Sequence, residues 1–400
     1  MNHANLRLFL SLYGLQGIIV AYLFSYNKTY MMAYGVDPIS IATVETLALL
    51  PMAFKFLAGP ISDRYNIFGW GRRRPLIGLG LLAQSGGLYG LALIDPGLHL
   101  FAFGAMAVLA VAGLALNDTC CDGMVVDVTA PRDRAKIQSW LWTARFLAAM
   151  FSTLVFGTFV SRSENLHWAI WGCCGLGLIP FLLNFAARES SVLDESHRFR
   201  WSAFALMSEP RSLALLAFGG IYGLTGLAVE INLSRYYVDV IRLDALTDVA
   251  QLGAIRYMGR AVGAMVFPFL LWTLKRSHVI SAGILLLSMT ILGQTLIRDR
   301  GDADFWAILF GLANGWCDAL FATLAMECAS PALAASTFAL FMAVTNLSVV
   351  GNVLFAAAVV MESYPFAFVG TAVVTLLALF PALSLQTPRV PSMRVAADVA

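Results

Sequence analysis

Short polar breaks divide the sequence into twelve long apolar blocks, at about residues 8–27, 38–60, 76–94, 99–127, 137–160, 166–187, 212–234, 247–273, 279–297, 303–328, 333–359 and 363–385. At a rise of 1.5 Å per residue, about 20 helical residues cross the ~30 Å hydrocarbon core of a bilayer, so each block is long enough to span it. Inside lipid a helix satisfies its backbone N–H and C=O groups within its own segment, which irregular chain cannot do. Only 12% of the residues are charged and 59% are hydrophobic; a soluble domain carries about 25% charge, and this chain could not cover a water-facing surface. Membrane-barrel strands alternate apolar and polar residues over about ten positions, and that alternation is absent. The expected fold class is therefore all-α integral membrane, with 12 transmembrane helices.

The loops fix an expected orientation. Of the 26 Lys and Arg residues, 16 fall in one set of loops, 6 in the opposite set and 4 inside the spans. The positive-inside rule puts the richer set, and both termini, in the cytoplasm. The longest polar break, Arg188 to Arg211, follows the sixth span, which suggests an N-terminal six-helix bundle (1–187), a cytoplasmic linker (188–211), a C-terminal six-helix bundle (212–387) and a cytoplasmic tail (388–400). Met1 leads through one Arg into the first block with no small-residue cleavage site, the pattern of a first spanning helix rather than a removable signal. The six cysteines lie in or beside apolar segments without the spaced C-x-x-C pattern of a zinc site, so no metal or cofactor is expected. A formal net charge of +2 gives no basis for nucleic-acid binding. The Gly-x4-Gly-Lys-[Ser/Thr] phosphate loop is absent, which argues against a primary pump.

The two halves echo each other. Tyr13-Gly14-Leu15-Gln16-Gly17 returns as Tyr222-Gly223-Leu224-Thr225-Gly226, and Gly113-Leu114-Ala115-Leu116-Asn117 with Asp122 returns as Gly311-Leu312-Ala313-Asn314 with Asp318. Parallel repeats of this kind are the arrangement of two halves about an axis normal to the membrane.

Ionisable groups in hydrocarbon cost at least about 2.5–3.5 kcal/mol each, so those present are paired or functional. Well inside the blocks lie Glu45, Asp118, Asp122, Glu230 and Asp318 against Lys55, Arg145, Arg256 and Arg260. That leaves one acid without an obvious partner, and a desolvated, unpaired carboxyl takes up a proton more readily than one in water. Asp118 and Asp122 share a helical face about 9–15 Å from the cytoplasmic edge, and Arg145 lies about 12 Å in. The expectation is that Arg145 pairs with one or both, as a substrate or proton site or as a purely structural ion pair. Asp318 takes the corresponding place in the second half, with Asn314 on the same helix and Asn346 on span eleven. Arg260, near mid-membrane, is a candidate to meet an anionic substrate or to bridge to an acid on a neighbouring span. Glu45 and Glu230 lie toward the outer side. Tyr13 and Tyr222, in the repeated helices, are candidates to stack on or hydrogen-bond a substrate.

The strongest local motif is Gly59-Pro60-Ile61-Ser62-Asp63-Arg64-Tyr65 followed by Gly71-Arg72-Arg73-Arg74-Pro75. It resembles the signature of the major facilitator superfamily between spans two and three, although Asn66 to Trp70 separate its two parts here. Physically it reads as a charge latch. Gly59 lets a neighbouring helix approach, and Asp63 accepts from helix N-termini or guanidinium groups, with Arg64, Arg72 and Arg73 in the same gate. The related loop at Trp272 to His278 keeps Lys275 and Arg276 but has no Asp, so latching is expected to be asymmetric between the halves.

Lys55-Phe56-Leu57 with Pro60, and Asp118-x3-Asp122-x4-Asp127-x6-Arg134, look like the muropeptide permease and acetyl-CoA transporter branch. Ile67-Phe68-Gly69 and Gln138 to Arg145 are also similar to the folate-biopterin transporter family. The resemblance implies the major facilitator fold with two six-helix halves in the bacterial inner membrane, acting as a monomer. It further implies proton-coupled import of a small to medium anionic organic solute, with Asp118, Asp122 and Arg145 as carried-over polar positions. Its partners are then a small-molecule substrate, protons and the lipid bilayer, and no enzyme activity is expected. A membrane assembly factor or pigment/lipid-binding protein on the same fold, or an uncoupled facilitator, are the alternatives.

Overall fold

The computed structural model describes residues 2–23, 27–66, 71–160, 166–189, 201–244, 247–346 and 349–386. Twelve spans are long and apolar enough to cross a membrane: α1 (His3–Ala21), α2 (Thr43–Arg64), α3 (Arg74–Leu93), α4 (Leu100–Val128), α5 (Pro131–Phe156), α6 (His167–Ala186), α7 (Pro210–Asp239), α8 (Asp248–Thr273), α9 (Arg276–Leu296), α10 (Arg300–Cys328), α11 (Ala334–Met361) and α12 (Tyr364–Leu383). Among the described residues there is no β-strand. The twelve apolar blocks thus became the twelve spans, with shifted edges. The first starts earlier than expected because the Asn2 side chain accepts from the Ala4 N–H and caps it. The seventh runs on to Asp239, past the polar Arg235.

Helix pairing repeats across the halves. In the first, α1 packs on α5, α2 on α4, and α3 on α4 and α6; in the second, α7 packs on α11, α8 on α10, and α9 on α10 and α12. The halves meet along a seam where α2, α4 and α5 face α8, α10 and α11. Small residues bring the helices of the second half together. A Cβ on Gly263 would collide with the carbonyl of Leu312, and one on Gly315 with the carbonyl of Arg260. The backbones of α8 and α10 therefore touch beside Arg260 and Asp318.

One span is broken. Pro51 interrupts the donor ladder of α2, Phe54 leaves helical geometry (φ −99°, ψ 9°), and a 3-10 turn runs Lys55–Ala58 before the helix resumes at Gly59–Arg64. A break exposes backbone carbonyls, which inside a membrane need other donors. Asn346 Nδ2 on α11 donates to Met52 O (3.1 Å) and Thr119 Oγ1 on α4 donates to Lys55 O (3.2 Å). The break thus turns the Lys55 side chain toward α4 and ties α2 to the other half.

Candidate functional site

The break in α2 delivers Lys55 to a buried carboxylate pair. Asp118 and Asp122 stand one turn apart on the same face of α4, and Lys55 Nζ lies 2.6 Å from Asp118 Oδ2 and 3.8 Å from Asp122 Oδ2. From α1, Gln16 Nε2 donates to Asp118 Oδ1 (2.7 Å) and Tyr13 OH donates to Asp122 Oδ1 (2.7 Å). All five residues are buried. Two carboxylates thus share one lysine, and each takes a further neutral donor. Low dielectric makes these bonds strong, and the two carboxylates outnumber the one cation that they share. An apolar groove of about 290 Å³, lined by Pro51, Phe54, Leu57, Ile61, Ala112 and Leu116 among others, reaches Lys55 from the side.

This corrects the expected Arg145 pairing. Arg145 makes no ion pair with either aspartate; its guanidinium lies over the Trp142 ring, 4.8 Å from the centroid. Lys55 reaches the pair instead because the α2 break carries it inward. Periodicity counts a continuous helix and gives no warning of such a turn. Gln16 and Lys55 are the partners sequence reasoning missed. Gln16 was visible only as part of the Tyr13 to Gly17 repeat, and Lys55 as an intramembrane base and as part of the Lys55-Phe56-Leu57 motif, neither of which names its partner.

The second half builds a sparser version. Tyr222 OH donates to Asp318 Oδ1 at 3.3 Å, the counterpart of Tyr13 on Asp122. Among the described residues no Lys or Arg lies within ion-pair distance of Asp318, which is half-buried. Arg260 is taken by Glu230, Nη2 to Oε2 at 2.7 Å, and Arg256 Nη1 reaches only the Glu230 carbonyl at 3.5 Å. Of the two expectations for Arg260, the interhelical bridge is the one seen. Tyr13 and Tyr222 use their hydroxyls on aspartates. Asn314, expected at the site, is buried in helix packing: its Nδ2 returns to the Phe310 carbonyl at 3.0 Å, and its Oδ1 fills the space a side chain at Gly226 would need. Glu45 lies ten residues before Lys55 on α2, half-buried and apart from the carboxylate pair. The charge balance thus resolves differently from the sequence count: among the described residues Arg145, Arg256 and Asp318 all lack an ion pair, and Arg256 has only the Glu230 carbonyl.

The motif between α2 and α3 forms an interlock between the halves. Asp63 Oδ1 accepts from Ala335 N (3.1 Å), and Oδ2 accepts from Ser336 N (2.8 Å) and Ser336 Oγ (2.6 Å), in the first turn of α11. The carboxylate thereby meets the positive end of the α11 dipole. Arg73, fully buried, donates through Nη2 to Asp63 Oδ1 (3.0 Å), through Nε to Asp127 Oδ2 (2.8 Å) and through Nη1 to Ser62 Oγ (3.2 Å). Gly59 is where α2 touches α11, since a Cβ there would strike the Ser336 backbone. Gly123 on α4 leaves room for the Arg73 guanidinium in the same way. Arg72 Nη1 donates to the Asp63 carbonyl at 3.0 Å. Arg64 lies exposed over the ring of Tyr65, 5.3 Å from its centroid. Sequence reasoning missed Glu189, just past α6. Its carboxylate accepts the backbone N–H groups of Arg72 (2.8 Å), Arg73 (2.9 Å) and Arg74 (2.6 Å), capping α3. Ile67-Phe68-Gly69 lie outside the described residues.

The second half keeps the Arg73–Asp127 pair as Arg276–Glu327, bidentate at 3.0 and 2.6 Å, with Arg211 Nη2 at 3.5 Å. The expected loss of an Asp63 counterpart leaves it without an acid to cap the facing helix.

The sequence matches the Major Facilitator Superfamily over residues 8–351. No curated protein matches it. Among solved structures the fold is similar to the human organic anion transporter MFSD10 (TETRAN), at 14% identity and TM-score 0.76, covering 97% of this chain and 100% of that one. It is similar to FucP in the outward conformation, at 13% identity and TM-score 0.74 over 95% and 98% of the two chains. It is also similar to the proton:xylose symporter XylE, at 15% identity and TM-score 0.73 over 96% and 95%. With a family match over most of its length and this twelve-helix architecture, the chain belongs to the Major Facilitator Superfamily.

Proposed function

We propose that the chain is a proton-coupled secondary transporter that imports a small to medium anionic organic solute by alternating access. The two halves, 1–187 and 212–387, rock about a central site while both termini stay on the cytoplasmic side of a bacterial inner membrane. The observation that carries this reading is the buried Asp118–Asp122 pair sharing Lys55. It has the make-up of a proton-loading group: two carboxylates, one fixed cation and two neutral donors that are present whether or not the proton is. The Asp63–Ser336 interlock supports a state closed on the basic, cytoplasmic side, in which release of the latch opens that side. FucP in its outward conformation and the proton:xylose symporter XylE, similar in fold, are in keeping with this state and with coupling. The protein acts as a monomer, since each chain carries both halves of the site.

Uptake into proteoliposomes with and without an inward proton gradient tests the reading, with muropeptides, pterins, siderophores and acyl-CoAs as the first solutes. Gradient-driven accumulation is expected, and it is lost in Asp122→Asn. Equilibration alone points to a facilitator, and absence of flux for every solute points to an assembly or lipid-binding role.

A further inference from the structure

Where the halves meet, Arg145 on α5 has no ion pair and no hydrogen-bond partner among the described residues, although it is a cation within a span. Beside it, the indole Nε1 of Trp142 is buried and also without an acceptor, in a residue only 7% exposed. These two unsatisfied donors are held by aromatic packing. Arg145 lies over Trp142, Trp142 packs on Phe146 with centroids 5.3 Å apart, and Trp142 meets Tyr13 edge-on at 6.4 Å. Facing them from the second half, Asp318 takes only the long Tyr222 bond, and Arg145 acts on both Asp122 and Asp318 through space. The other groups facing Asp318 are already engaged: Arg260 is held by Glu230 and lies over Phe146, 5.4 Å from its centroid, and Cys317, next to Asp318 in sequence, is buried.

The Trp142 indole N–H is buried without an acceptor, and the half-buried Arg145 guanidinium beside it has no ion pair, so both gain when an acceptor arrives. A planar carboxylate matches the guanidinium fork and can also take the indole N–H. We propose that Arg145 and Trp142 form the anchor for a carboxylate-bearing organic anion with a flat, unsaturated body, bound against Trp142 and Phe146 while Asp318 is neutral. This rests on the transport reading above and names its substrate class. Charge fixes the role of Asp318. With Asp318 ionised, an incoming carboxylate meets an anion in the same low-dielectric space. With Asp318 protonated, Arg145 remains uncompensated and the anion balances it, so anion and proton are taken up together. A zwitterion would instead put its carboxylate on Arg145 and its ammonium on an ionised Asp318, with no proton required.

The test is ligand-induced stabilisation of the detergent-solubilised full-length protein by benzoate, 4-hydroxybenzoate and nicotinate. Their neutral amides and the zwitterion phenylalanine serve as matched probes. Wild type is expected to bind the acids and not the amides, more tightly at pH 5.5 than at pH 8. Arg145→Gln is expected to weaken acid binding roughly tenfold or more and Arg145→Lys to weaken it less, because the charge survives without the fork. Asp318→Asn is expected to bind the acids at pH 8 as wild type does at pH 5.5, a readout that a merely structural Asp318 would not give. Unfolding midpoints without probe show whether each variant is folded. Equal binding of acids and amides, no acid binding by wild type, unchanged binding in Arg145→Gln, or preferential phenylalanine binding lost in Asp318→Asn each overturns the proposal. Proton-driven uptake without Arg145-dependent acid binding overturns this inference alone. Arg145-dependent acid binding without gradient-driven accumulation overturns the coupling alone.

Discussion

Each half sets a tyrosine of its first span on an aspartate of its fourth, yet the two aspartates live in different company. Asp122 shares Lys55 with Asp118 and receives Tyr13 at 2.7 Å; Asp318 receives Tyr222 at 3.3 Å and, among the described residues, no ion-paired cation. The difference traces to the second span of each half. In α2, Pro51 and the 3-10 turn swing Lys55 onto α4. In α8, the helix continues unbroken past Arg260, which is held by Glu230 of α7. The same repeat therefore yields a buried acid pair bridged by a lysine in one half and an acid without an ion pair in the other. A duplicated fold can thus divide labour between its halves by changing one helix without moving the shared Tyr–Asp geometry.

The comparison breaks first at Lys55. Lys55→Met strands two carboxylates in a dry cluster and is expected to cost about 3–5 kcal/mol, read as a lower unfolding midpoint in detergent. Adding Asp118→Asn is expected to restore more than half of the loss, which a simple packing defect at residue 55 would not allow. The Arg260–Glu230 bridge is partly solvated, so Arg260→Met should cost less.

Next comes the latch, again unequal between halves. Asp63→Asn removes the charge that three donors of α11 and the buried Arg73 converge on, and is expected to cost about 2–5 kcal/mol. Glu327→Gln, whose pair is partly exposed, is expected to cost about 1 kcal/mol. Equal effects would show that the halves latch alike. Spin labels at Arg64 and Ala332 should also move apart in Asp63→Asn and stay in place in Glu327→Gln.

A smaller effect is expected at Gly123→Ala, where the new methyl collides with the Arg73 guanidinium. Overpacking of this kind costs about 1–3 kcal/mol, and the same label pair should report a loosened seam. The smallest separates the two tyrosines. Tyr13→Phe removes a short bond to an acid and is expected to cost about 1.5 kcal/mol, while the longer Tyr222 bond makes Tyr222→Phe cost less than about 1 kcal/mol. The reverse order in thermal unfolding would mean that Asp318, not Asp122, is the better-held acid.

The latch shows what was legible in advance. Gly59 and Asp63 were readable because their roles depend on residue type alone: one must lack a side chain, and the other must carry a charge near a helix start. The partners were a different matter. Ser336 lies 273 residues from Asp63 and Glu189 lies 115 from Arg74, and nothing local marks either as a capping group. Arg145 was well placed in depth, yet its expected partners went to Lys55, because depth along the membrane normal does not say which face of a helix turns inward.

By itself the sequence determined the twelve spans and their repeat, since an apolar run long enough to cross hydrocarbon has only the helix as a way to satisfy its backbone. The Tyr–Asp repeat and the latch motif were also there to read. Only the tertiary structure decided which charges meet. Ion pairing depends on helix rotation and on a local break such as Pro51 to Ala58. In low dielectric, a few ångströms decide whether a charge is paired, like Lys55, or left without an ion pair, like Arg145.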